Sequence, residues 1–114
     1  MAVSAAYREF VLEQLGRVAP VTSRGMFGGV GVYSDGLFFA LMDDDALYLK
    51  VDDRNRSDFE AAGMGPFRPF PDAAPMGYYE LPAELLDDAD LLRPWIFKAL
   101  DVARAARTGK RKPR

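Results

Sequence analysis

The sequence predicts an α+β fold: a single domain of α-β(3)-α-β(2)-α order, with one largely antiparallel five-stranded sheet packed by helices. Apolar residues recur at helical spacing near both ends of the chain, whereas from Met26 the period drops to two and is interrupted by short polar turns. The scale agrees, since 114 residues that are 49% hydrophobic suffice for one continuous core and not for two.

Near the N-terminus Tyr7, Phe10, Val11, Leu15 and Val18 follow the helical period. Ser4 is placed to cap that helix, and Gly16 or the Ala19-Pro20 step to end it. The residues from Met26 divide at Ser34-Asp35-Gly36 and at Asp43-Asp44-Asp45 into three consecutive antiparallel strands. An Asp-Gly pair between apolar runs marks a hairpin, because the turn needs a positive φ that glycine adopts freely. In the middle strand Leu37, Phe39 and Leu41 alternate with Phe38, Ala40 and Met42, which predicts burial on both sides. In the third, Leu47, Leu49 and Val51 share one face, and Tyr48 and Lys50 lie on the other, more open one.

Asn55 is placed to cap a second helix with Phe59 and Ala62 turned inward, Gly63 as its left-handed terminator and Met64 as the closing contact. Pro66, Pro69 and Pro71 cannot donate ladder hydrogen bonds, so the arm they punctuate reads as an edge strand or an irregular lead-in. Met76 to Leu81 reads as the strand that follows. A final helix carries Leu92, Trp95, Ile96, Ala99, Leu100 and Ala103 on one stripe. Because Pro94 suits a first turn, its regular part is expected from near Arg93, after an acidic turn at Asp87 to Asp90. Residues 1–107 then form the domain, and residues 108–114 a flexible basic tail.

The inventory of reactive groups is short. The chain has neither cysteine nor histidine, which removes disulfides, thiolate chemistry, the usual zinc ligands and the commonest general base. Gly29-Val30-Gly31-Val32-Tyr33-Ser34 lacks the third glycine of a dinucleotide loop and leads into a strand rather than a helix, so its glycines read as bending a strand or admitting a neighbour. Asp43-Asp44-Asp45 lacks calcium-loop spacing, and Asp87, Asp88 and Asp90 suit a helix start. Glu13, Glu60, Glu80 and Glu84 show no pairing in sequence, no serine lies in a nucleophile elbow, and Lys50 reads as a snorkelling strand lysine. The reading is of no catalytic, cofactor or metal site.

Charge is segregated. Residues 1–103 hold nine basic against seventeen acidic residues, a net of −8, and the last eleven residues carry +6. The body should repel polyanions and the tail attract them. No apolar stretch approaches membrane-spanning length, and Arg8 and Glu9 break any secretory core, so a cytoplasmic location is expected.

The run RGMFGGVGVYSDGLFFALMDDDALYLKVDDRNRSDFEAAGMGPF, with MGYYELP and the Trp95-containing helix, closely resembles the TfoX N-terminal domain family, also called TfoX/Sxy. The resemblance extends over about residues 7 to 103. It implies the same element order, no established catalytic residues, and a role in bacterial competence for DNA transformation. Members of that kind act as transcriptional co-activators alongside the cyclic-AMP receptor protein. The expected function is thus a non-catalytic regulatory domain, monomeric or homodimeric, that contacts a protein partner of that type. Phe70 and Tyr78, beside the proline-bearing arm, are the candidate partner contacts, whereas Phe67 and Tyr79 suit the core better. The alternatives are nucleic-acid binding through Arg107, Lys110, Arg111, Lys112 and Arg114, or a small ligand held between sheet and helices.

Overall fold

The structure, a computed structural model, describes residues 3–26, 28–68 and 77–111. Helix α1 (Ala5–Gly16) begins where the Ser4 hydroxyl accepts a hydrogen bond from the Tyr7 N–H at 3.1 Å. The Ser4 N–H itself donates to Asp45 Oδ1 at 2.8 Å, which fastens the helix start to a strand turn. Val11 and Leu15, one turn apart, are fully buried, while Phe10 lies off that stripe and is exposed.

Strands β1 (Thr22–Met26), β2 (Gly29–Ser34), β3 (Leu37–Asp43), β4 (Ala46–Lys50) and β5 (Tyr78–Glu80) form one antiparallel sheet in chain order. The α+β class and the five-stranded sheet are as expected. Four strands, however, precede the second helix and one follows it. Thr22–Met26 has no apolar alternation to betray it, yet all five of its residues pair with β2. Of the arm after Gly65, residues 66–68 are described and contribute a single bridge, Pro66 to Tyr79, while Pro69 and Pro71 lie outside the described residues.

The glycines of β2 serve the sheet. A Cβ on Gly29 would lie 2.4 Å from the Met42 backbone oxygen, so only glycine fits there. Both later turns use the left-handed region: Asp35 and Gly36 have φ of 51° and 78°, and Asp44 and Asp45 have 52° and 54°. Between β2 and β3 the register passes from Val32–Ala40 to Tyr33–Phe38, so Phe39 has no residue opposite it. This bulge disturbs the simple alternation expected of β3. Phe39, Ala40 and Met42 are all fully buried, whereas Leu41 and Phe38 are only partly covered.

Helix α2 (Arg56–Ala61) ends as its sequence suggests. Gly63 has φ 77°, its N–H reaches Glu60 O at 3.0 Å, and the Met64 N–H reaches Phe59 O at 2.9 Å. Its start differs from expectation, because Asn55 makes no cap bond. Buried at 1% exposure, Asn55 instead accepts from Asp52 N–H at 3.0 Å and donates to Lys50 O at 3.1 Å, closing the connection from β4. Ala62 lies at the C-cap and is exposed rather than turned inward.

After a 3-10 turn at Ala83–Asp87, helix α3 runs from Ala89 to Arg111. It starts a turn before Arg93, with Pro94 inside it. Asp88 Oδ1 accepts from the Asp90 and Leu91 N–H groups at 3.0 and 3.3 Å, and Leu92 is fully buried. A capped first turn and a core anchor outweigh the one hydrogen bond that Pro94 removes. Val11 and Leu15 of α1, Phe59 of α2, and Leu92, Ile96, Ala99, Leu100 and Ala103 of α3 join one core with Val30, Val32, Phe39, Met42, Leu47 and Leu49 of the sheet. The Cα radius of gyration, 13.5 Å, is that of one compact domain.

Gly29→Ala is expected to destabilise the protein by at least ~2 kcal/mol, because the added carbon meets backbone rather than a yielding side chain. Gly25→Ala, with nothing within 4 Å of the added carbon, should stay within about 0.5 kcal/mol of the parent in urea denaturation.

Candidate functional site

Alternation along a strand sends every second side chain to the face away from the core. Among the described residues, the buried side chains of all three helices join the core on one side, so that second face is left to the sheet's own residues. What it carries is aromatic. The two-residue turn at Asp35-Gly36 sets Tyr33 opposite Phe38, and their rings stack with centroids 5.1 Å apart. Phe38 meets Tyr78 of β5 at 5.6 Å, and Tyr48 of β4 meets Phe67 at 4.8 Å.

Cations close the row at both sides. The Arg24 guanidinium, on β1, lies 5.7 Å from the Tyr33 ring centre, and Lys50 Nζ lies 4.9 Å from that of Tyr78. Lys50 Nζ also donates to the Tyr78 hydroxyl at 3.4 Å. Burial, and then the neighbouring Tyr33, push the Tyr78 hydroxyl up to about 12. It therefore stays protonated at neutral pH. Burial likewise raises Tyr48, with Glu80 adding to it. The arrangement offers half-covered rings, hydroxyl handles and two cations, which is the chemistry of a recognition surface.

Of the residues singled out in the sequence, Tyr78 belongs to this face but at 6% exposure lies beneath its surface. Phe70 lies outside the described residues. Phe67 packs on Tyr48 and not in the core, whereas Tyr79 does face the core, its ring 5.8 Å from Phe59. Arg107 is exposed on α3, with Nη1 3.6 Å from where a Gly36 Cβ would stand. Lys110 and Arg111 fall on the last residues of the α3 backbone, and Lys112 and Arg114 lie outside the described residues. Tyr33, Phe38 and Arg24 were not picked from the sequence. The two-residue turn held the signal for the first two, since it sets residues 33 and 38 opposite one another; Arg24 sits on the strand that pattern missed.

The acidic groups have other duties or lie apart. Glu13, Glu60, Glu80 and Glu84 lie on α1, α2, β5 and the 3-10 turn. Among the described residues no three carboxylates come together as a metal site. A shallow open depression at Val51, Asp52, Asp53, Arg54 and Arg56 is lined by charges that pair with one another, Arg54 with Asp52 at 3.3 Å and Arg56 with Asp53. Among the described residues no helix is long and apolar enough to cross a membrane.

Residues 13–103 match the family model described as the TfoX N-terminal domain. No curated protein matches the chain.

The raised hydroxyls give a pH test. Tyr7, desolvated by burial and set near Asp45 and Glu80, is also pushed up to about 12. Unfolded tyrosines ionise near 10.0, so the stability these two groups contribute is complete below that pH and is lost as the pH rises through about 12. Alkaline titration by tyrosinate absorbance should show Tyr7, Tyr48 and Tyr78 ionising above the usual tyrosine range, and Tyr78→Phe should remove one of these late ionisations.

Proposed function

The chain belongs to the TfoX N-terminal domain family, and from that premise we propose that it is a non-catalytic regulatory domain of the bacterial cytoplasm that acts by binding another protein. The family is not a known catalytic one. The partner class we infer is a transcription regulator of the cyclic-AMP receptor protein type, with the domain serving as co-regulator of competence for DNA transformation.

The observation that carries this reading is the row of Tyr33, Phe38 and Tyr48 on a sheet face that no described helix packs against. Half-exposed rings gain most when a partner removes them from water, and tyrosine hydroxyls satisfy polar groups at the rim. Reactive chemistry has no comparable support, since the chain lacks histidine and cysteine, the commonest general base and thiol nucleophile.

A second reading is favoured by the length of α3. The helix continues through Arg111, and positions 104, 107 and 111 are spaced i, i+3 and i+7 along it, as a groove-tracking helix would space phosphate contacts. On that reading, deleting residues 108–114 abolishes salt-sensitive retention on DNA, and unchanged retention rejects it.

For the first reading, the test is recovery of the cyclic-AMP receptor protein by the immobilised domain. Tyr33→Ala and Phe38→Ala, each checked for native circular dichroism, should weaken binding at least about tenfold, with Phe70→Ala assayed beside them. Phe97→Ala on the outer side of α3 should bind as the parent does. Equal recovery by all four folded variants counts against the aromatic face.

A further inference from the structure

The two edges of the sheet are not alike. Beyond β5 the lead-in residues cover the backbone, with the Phe67 N–H donating to Tyr78 O at 2.6 Å and the Glu80 N–H to Gly65 O at 3.1 Å. Beyond β1, the described residues supply no backbone partner, and Thr22, Arg24 and Gly25 are exposed. An edge strand turns every second N–H and C=O outward, which makes it a template for another extended chain. Natural edges are commonly blunted by proline or covered; β1 contains no proline, and none of the described residues pairs with its outer side.

The side chains around this edge say what kind of chain fits. On the helix side, Arg8 Nη2 donates to Ser23 Oγ at 2.9 Å. On the other side, Arg24 lies over Tyr33. Arg17, Arg54, Arg56, Arg93, Lys98 and Arg104 each have a carboxylate partner, yet among the described residues Arg8 and Arg24 have none. Two guanidiniums flanking one strand with no carboxylate partner among the described residues are conspicuous in a body with a net charge of −8. Arg107 adds a third cation near Gly36, at the sheet end where Thr22 pairs with Tyr33.

We propose that β1 receives an extended, acidic segment of a partner protein as a sixth strand. Backbone pairing along Thr22–Gly25 holds the segment, and adjacent acidic residues, which point to opposite faces of a strand, reach Arg8 and Arg24. A second copy of this chain is the poorer occupant. Arg24 is the central residue of β1, so two-fold antiparallel pairing centred on the strand sets it against itself. The proposal rests on the reading that the domain works by protein contact, but it names a different surface and a partner chemistry.

The test uses the full chain, isotope-labelled for NMR, and a blocked peptide Val-Thr-Asp-Glu-Thr-Val with its Asn-Gln and Lys-Lys counterparts. The acidic peptide should give saturable shifts and slowed amide exchange at residues 22–25. The Asn-Gln peptide, and the acidic peptide on the Arg8→Gln/Arg24→Gln variant, should each bind about tenfold more weakly. Equal binding by the three peptides, an unaffected double variant, shifts centred on α3, or changes at β1 on concentrating the protein alone would each overturn the proposal. The broader reading fails separately: if the double variant recovers the cyclic-AMP receptor protein while Tyr33→Ala and Phe38→Ala do not, the edge is excluded and protein contact stands. If all of them recover it, both surfaces are excluded.

Discussion

Everything in this fold follows from α3 lying across one face of β3 and β4. Leu92, Ile96, Ala99, Leu100 and Ala103 form a single stripe that meets Phe39, Ala40, Met42, Leu47 and Leu49. Each large side chain buried this way contributes on the order of 1.5–3 kcal/mol, so the interface outweighs any local preference of the segments that feed it. Helix α1 adds Val11 and Leu15 to the same side, and α2 adds Phe59, whose ring meets Trp95 edge-on at 4.9 Å. A sheet packed from one side must present its other side to something else. Among the described residues, that asymmetry leaves the second face to the rings of Tyr33, Phe38, Tyr48 and Phe67.

Small polar devices hold the packing in place. Asn55 spans the exit of β4, Asp88 starts α3, and Asp45 ties the β3–β4 turn to the first residues of α1. The bulge at Phe39 has the most consequence for the open face. By giving β3 one residue more than β2 can match, it keeps Phe39 and Ala40 on the core side while Phe38 still faces Tyr33. Ring pairing on the open face and close packing on the closed one are therefore products of the same irregularity.

The amino-acid pattern carried much of this. Ser4, Gly63, the two polar turns and the stripe on the last helix were legible because each obeys a local rule of capping, handedness or period. Thr22–Met26 was not, since an edge strand with polar and small residues owes its form to backbone pairing and leaves no hydrophobic trace. Asn55 and Pro94 misled for a related reason: tertiary contacts turned a capping residue into a buried cross-link and let a helix run through a proline. Of the candidate contacts, Tyr78 could be placed on the open face only through its register with Lys50, and its depth there depends on Phe38, which comes forty residues earlier in the chain. Long-range pairing of that kind is invisible to periodicity.

Among the described residues one face of the sheet is left uncovered by helices and the strand at its margin is unpaired on its outer side, and the proposed partner contact rests on both. Hydrogen–deuterium exchange on the complex recovered from the native cell tests this most directly. Protection confined to β1, β2 and the Tyr48–Lys50 side of β4 is the predicted result. Protection confined instead to the outer surfaces of α1 and α3, around Phe10, Leu91 and Phe97, would contradict it.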